Sequence, residues 1–216
     1  MSHGVHAVQH EVEHKIKHDE HGGHGGGHAV DEKDRNKRVA LLISVIALFL
    51  ALAETMGKSA QTSALNYQIE ASNLWNFFQA KNIRRTVTIV ASEFGKIDAI
   101  AAGDAAHKEA LAKQIDLWTK TAERYRSEPE AGGGKGEGTA ELSRRAIEEQ
   151  HKRDTALAKY HHFEVASAAF QIGIVLASAT VITGMVILAY LAIGLGVVGI
   201  GFMGIALFAP NAVHLF

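Results

Sequence analysis

VASAAFQIGIVLASATVITGMVILAYLAIGLGVVGIGFMGIALFAPNAVHLF, residues Val165 to Phe216, contains no Asp, Glu, Lys or Arg. A bilayer core is crossed by about 20 apolar residues, so a 52-residue charge-free run is too long for one span and suits two. Residues 164–183 and 185–208 form the expected pair, with Thr183-Gly184 as the tight turn, because glycine accepts the backbone angles of a helical hairpin. Lipid offers no water to unpaired peptide groups, so both segments must be helical. Gly173, Ala177, Thr180 and Gly184 recur at spacings of four, three and four. They lay small residues along one face where another helix backbone approaches closely, leaving the Leu, Ile and Val positions to lipid.

A third apolar run lies nearer the amino terminus. Val39–Ala53 reads VALLISVIALFLALA and extends to Met56 if Glu54 is tolerated. At 1.5 Å per residue those eighteen residues span about 27 Å, enough for a bilayer core with some snorkelling. Arg35, Lys37 and Arg38 before the run and Ala51-Leu52-Ala53 within it also suit a signal peptide, but 38 preceding residues far exceed an ordinary n-region. An uncleaved span over 39–57 is the expectation. Glu54 is then an intramembrane acid, either snorkelling beside Lys58 at the interface or forming a proton or ion site.

Between the spans, residues 58–163 form a polar helical domain. Helices are expected over Ser59–Phe94, Asp104–Arg126 and from Thr139 into the membrane, separated at Gly95 and Gly103 and by a flexible loop, 128–138, reading EPEAGGGKGEG. Leu111, Ile115, Trp118, Ala122 and Tyr125 form an amphipathic stripe. Glu141/Arg145, Glu148/Lys152 and Glu149/Arg153 are i,i+4 pairs of a solvated face. On the first helix, Ser59, Asn66, Asn73, Ala80, Val87 and Phe94 make one heptad row, and Thr62, Ile69, Asn76, Ile83, Val90 and Ile97 its partner. The apolar half, Ala80, Ile83, Val87, Val90, Phe94 and Ile97, is a candidate oligomer seam of coiled-coil type. Filling of the same stripe by the second and third helices of the chain is the competing reading. Nearer the membrane, Tyr67, Ala71, Leu74, Trp75 and Phe78 form an apolar side suited to packing on the third helix.

Composition narrows the function. The net charge of -1 lacks the basic face that nucleic acid requires, and the absence of cysteine excludes disulfides and thiolate metal sites. Residues 1–38 are a His/Gly-rich tail with eight of the thirteen histidines. His3, His6, His10, His14, His18 and His21 are spaced three or four apart, along one side of a helix. Imidazoles so placed ligate Zn, Ni or Cu(II), and His24 and His28 follow in the glycine patch. A low-complexity tract without a physiological ligand is the plainer reading. His10-Glu11-Val12-Glu13-His14 fits the zinc-peptidase pattern, but no third ligand or walled cleft accompanies it, and histidines this frequent match by chance. Gly194-x-Gly196-x-x-Gly199 resembles a dinucleotide fingerprint inside an uncharged run with no preceding strand, so these glycines belong to helix packing. His161, His162 and Glu164, beside Tyr160 and Phe163, suit an interfacial belt better than a metal site.

Ala53-Glu54-Thr55-Met56-Gly57-Lys58-Ser59-Ala60-Gln61-Thr62 and Glu70-Ala71-Ser72-Asn73-Leu74-Trp75-Asn76-Phe77-Phe78-Gln79-Ala80-Lys81-Asn82-Ile83-Arg84 resemble a bacterial membrane family, domain-of-unknown-function family 4337. Lys159-Tyr160-His161-His162-Phe163 and Ile174-Val175-Leu176-Ala177-Ser178 are similar to it too, and the Phe78-Gln79-Ala80-Lys81 stretch is the most specific element. The likeness runs from about residue 35 to the end. It implies a bacterial integral membrane protein with one span, a helical insert and a terminal pair of spans, and brings no activity, substrate or catalytic residue.

The expected fold is an all-α integral membrane protein: one transmembrane helix, a helical or coiled-coil extramembrane domain, a transmembrane helical hairpin, and a short tail over 209–216. The expected function is a non-enzymatic structural or scaffolding component of the lipid bilayer that self-associates through its helical domain, as a homo-oligomer, or binds a further protein. Divalent-metal binding or ion handling through the tail is the alternative. Lys33, Arg35, Lys37 and Arg38 precede the first span, against Lys58 just after it. The positive-inside rule therefore puts the tail in the cytoplasm and the central domain in the periplasm of a bacterial inner membrane, although Lys152, Arg153 and Lys159 pull the other way. The metal reading has a direct test: binding should require neutral imidazole, above about pH 6.5, and replacing His6, His10, His14 and His18 together should abolish it without preventing insertion. Isothermal calorimetry giving no heat with Zn, Ni or Cu on the tail peptide would end that reading.

Overall fold

Between residues 26 and 101 there is no proline, and beyond residue 27 the glycines are Gly57 and Gly95. A glycine inside a helix costs about 1 kcal/mol relative to alanine, which packing readily offsets. The computed structural model describes residues 26–213, with side chains from Arg35 onward. Among them the chain forms α1 (Gly26–Ala101), α2 (Ala105–Arg126), α3 (Thr139–Thr183) and α4 (Val186–Phe208), and no strand. Three of these, α1, α3 and α4, contain stretches long and apolar enough to cross a membrane.

The expected break at Gly95 does not occur. Helix α1 continues to Ala101, and Gly95 is instead a contact: a Cβ there would lie 3.1 Å from both Ile115 and Trp118 of α2. The chain turns at Ala102–Asp104, where the Asp104 carboxylate accepts from the His107 amide (3.0 Å) and caps α2.

Two compact units emerge. The first combines residues up to Leu52 with Ala166–Gly201. Here Val39, Ala177 and Ala192 are buried, with Leu42, Ile43 and Leu176 packed around them. A Cβ on Gly173 would meet the Ala192 carbonyl at 3.4 Å, so α3 and α4 pack nearly backbone to backbone. Phe170 is fully buried, stacked on Phe49 (6.1 Å) and filling the space beside Gly199. Gly199 is thus a packing glycine, while Gly194 faces open space. Gly184, at φ 70°, makes the α3–α4 turn, and its amide donates to the Thr180 carbonyl (2.9 Å).

The second unit comprises Ala53–Val165 and Phe202 onward. Along α1, Ala53, Gly57, Ala60, Ala64, Tyr67, Ala71, Leu74, Phe78, Lys81, Arg85, Thr88, Ser92 and Gly95 alternate at spacings of four and three, and all are buried or half-buried. Opposite them α3 offers Leu142, Ala146, Ala156 and Phe163. Leu74, Leu142 and Ala146 form a cluster flanked by Trp75 and Phe78, themselves in edge-to-face contact at 5.3 Å. At the other end a Cβ on Gly57 would meet Cβ of Phe163 at 3.2 Å.

Charge then fastens the connections. Lys81, 7% exposed, extends Nζ to Glu128 (2.9 Å) and Glu137 (3.8 Å) at the two ends of the α2–α3 loop and lies 5.4 Å from the Phe77 ring. Within the loop, the Gly136 amide donates to the Ala131 carbonyl and the Glu137 amide to Glu128. One of the three i,i+4 pairs forms, Glu148 to Lys152 at 3.0 Å. Arg153 goes to Asp154 and to Gln68 of α1 (2.7 Å), and Arg145 donates to the Gly136 carbonyl. Through Gln68 and Gly136 both arginines reach partners outside α3, and an exposed pair on one helix is worth only a few tenths of a kcal/mol.

Glu141, in the first turn of α3, accepts the Ser127 hydroxyl (2.5 Å) and the Glu128 amide (3.3 Å). The Ser127 bond, joined by amides at the helix start, holds its carboxyl below the ordinary glutamate range. A pKa depressed by folding contributes stability that is complete above the unfolded value near 4.3 and is lost as pH falls through the lower folded value. Glu141→Gln should therefore cost about 0.5–1 kcal/mol at pH 7, the usual size for a solvent-screened carboxylate at a helix start. The difference from wild type should shrink as pH falls below about 4. Thermal melts followed by circular dichroism at pH 7 and pH 3 check both parts; an equal difference at the two pH values would refute it.

Candidate functional site

Helix α1 carries two heptad rows in the second unit, and they differ in residue size. The buried row is mainly Ala and Gly from Ala53 to Ala71 and continues through Leu74, Phe78, Lys81, Arg85, Thr88, Ser92 and Gly95; the other is Ala80, Ile83, Val87, Val90, Phe94 and Ile97. At 100° per residue the second row lies about 160° around the helix from the first, nearly opposite it. All six of its residues are exposed, Ile83 by 64%, Val87 by 63% and Phe94 by 64%.

The reason is the path of α2. Its stripe of Leu111, Ile115, Trp118, Ala122 and Tyr125 faces inward, but it meets α1 on the buried row. Trp118 and Ile115 approach Gly95, and the Thr119 hydroxyl lies 3.4 Å from that of Ser92. Helix α3 meets the same row lower down, at Leu74. The competing reading, in which α2 and α3 fill the outer stripe, is thereby overturned: both are committed to the inner one.

Toward the end nearer the first apolar run the outer rows become Asn66, Asn73 and Asn76, all exposed, together with Ile69 at 59%. Charges flank the apolar part. Lys96 pairs with Glu93 at 2.8 Å, and Arg84 and Asp98 are exposed beside the row. The surface is thus an apolar strip edged by charge along four turns of one helix.

The other expected site residues are dispersed. His3, His6, His10, His14, His18 and His21 lie outside the described residues. Glu54 lies on the exposed side of α1, between the buried Ala53 and Gly57. His162 is 1% exposed, its Nε2 3.0 Å from the Pro210 carbonyl and its ring stacked on Phe202, so it ties the end of α4 to α3. His161 lies 3.5 Å from Glu164, whose other oxygen accepts from Tyr160 (3.4 Å). Among the described residues no group of three His, Asp or Glu is placed to hold a metal ion.

Lys81 was not anticipated as a structural anchor. The signal lay in the count of sevens: Tyr67, Leu74 and Lys81 share a row, so a lysine there is directed inward and must find carboxylates.

No curated protein and no solved structure matches the chain. A family model matches residues 35–209, which takes in all of α2, α3 and α4, most of α1 and the whole exposed strip. The chain belongs to the family described as Domain of unknown function (DUF4337).

Proposed function

We propose that this protein is a structural component of a bacterial inner membrane, non-enzymatic, that assembles copies of itself through the outer row of α1. The observation that carries this reading is the exposure of Ile83, Val87, Val90, Phe94 and Ile97 in a strip that the described helices leave open. Large apolar residues repeating at three and four along a polar helix are stabilised by transfer from water, at about 25 cal/mol per Å². A second helix with the same repeat is the partner whose geometry matches. Contiguous exposed apolar patches are uncommon on monomers and mark interaction sites.

Three helices long and apolar enough to cross a bilayer support the membrane placement. Outside the small-residue contacts of the first unit, Ile172, Val175, Ile182, Leu191 and Val197 are exposed, which suits lipid and not water. The tail is cytoplasmic and the helical domain periplasmic by the charge asymmetry around the first span.

Val87→Asp tests the assembly. An unpaired carboxylate in a closed helix contact should weaken association by about 3 kcal/mol or more, at least a hundredfold in dissociation constant. Because Val87 is 63% exposed within its own chain, the change should leave the monomer folded. Light scattering of the detergent-solubilised variant should then show monomer with unchanged helical circular dichroism. An unchanged oligomer, or lost helicity, would count against the strip.

A further inference from the structure

We propose that the cleft between α1 and α3, at the level where the apolar runs end, binds the headgroup of one anionic phospholipid from the surrounding bilayer. The inference rests on the membrane placement of the apolar helices and is independent of the self-association strip. The cleft measures about 560 Å³ and lies wholly within the second unit, in the range of small-molecule sites.

Its two ends differ chemically. Met56, Phe163 and Leu207 supply an apolar floor, and these are residues from the ends of the three apolar runs. Above them the walls are polar. Lys159 lies four residues before Phe163 on α3, about one helical turn or 6 Å farther from the apolar run. That places an ammonium just outside the hydrocarbon limit, the depth at which a bilayer carries its phosphodiesters.

The polar groups of the walls divide into engaged and free. Lys152 lies against Glu149 (2.8 Å) and Glu148 (3.0 Å), whose carboxylates raise it above the ordinary lysine range and outnumber it by one negative charge, so it offers an anion nothing and Lys159 is the cation left to do so. The Ser63 and Thr155 hydroxyls donate to carbonyls one turn back in their own helices. Lys159 has no such partner among the described residues, and the hydroxyls of Ser59 and Tyr67 and the His151 ring are likewise unengaged. One unpaired cation amid free donors, above an apolar floor, matches a ligand that is anionic at one end and apolar at the other. A phospholipid satisfies both ends at once; a free phosphate leaves the floor uncovered.

The full-length protein in mixed micelles of phosphatidylglycerol and phosphatidylcholine with matched chains provides the test, read by native mass spectrometry. Wild type should retain one phosphatidylglycerol per chain with about a tenfold preference, equivalent to about 1.4 kcal/mol. Lys159→Gln should bring the two lipids near parity. Lys58→Gln, at the same level but outside the cleft, should leave the preference unchanged. Ser63→Trp should abolish retention by filling the cleft without altering charge. Equal retention of both lipids by wild type, or an equal effect of the two lysine variants, would overturn the proposal. Displacement of the lipid by millimolar glycerol phosphate would overturn it in favour of a soluble ligand. Release of the chain from membranes by alkaline carbonate would overturn the membrane placement itself, whatever the lipid count.

Discussion

The close approach of α1 and α3 sets the terms for the helical domain. A helix surface of Ala53, Gly57, Ala60, Ala64 and Ala71 has little side-chain volume to hold a partner away, so α3 comes near enough for Phe163 to lie directly over Gly57. Dispersion then acts between many atoms at short range, each contributing about 0.1–0.2 kcal/mol. The geometry leaves little tolerance, because any side chain added at Gly57 meets the Phe163 Cβ, which is fixed to the backbone and cannot swing aside.

A consequence is an inversion of the usual distribution of residue size. Small residues dominate the inner row from Ala53 to Ala71, and the bulky branched ones, Ile83, Val87, Val90 and Ile97, are on the outer row where none of the described residues covers them. Lys81 sharpens the contrast, since it occupies an inner position and the α2–α3 loop is shaped to bring Glu128 and Glu137 to it. Removing the carboxylates would leave the buried Lys81 ammonium without its counter-charges, so the loop's path and the lysine are mutually dependent.

This inversion also explains which parts of the structure were legible in the sequence. The charge-free run, the first apolar run, the start of α3 at Thr139 and the inward stripe of α2 are visible because large apolar residues repeat against a polar background. The outer row was visible for the same reason. Its exposure was not, because periodicity places residues on a common face without telling which face is covered. Of the inner row, the stretch with Tyr67, Ala71, Leu74 and Phe78 was legible as a side packing on the third helix, whereas Ala53 to Ala64 carry almost no hydropathy contrast and Lys81, Arg85, Thr88 and Ser92 are polar. Gly95 was misread as a break because glycine's low helix propensity is a local property, whereas the approach of Ile115 and Trp118 that requires it is tertiary. The turn to Glu141 was likewise hidden: Ser127 is fourteen residues away, and nothing local connects them.

The α2–α3 loop has an implication for how the protein tolerates change. Its glycine-rich composition suggests a stretch that would accept almost any substitution. Gly133 and Gly136, however, adopt φ angles of 66° and 77°, where every L-residue with a Cβ is strained by about 1–2 kcal/mol. Gly133 faces open space, so there the penalty is backbone chirality alone; at Gly136 a Cβ also collides with Glu141. A D-alanine introduced at Gly133 by chemical ligation fits where L-alanine does not. The loop is thus selective for handedness at one position and for handedness and size together at another, and a mutational scan would find it among the less permissive surface segments of the chain.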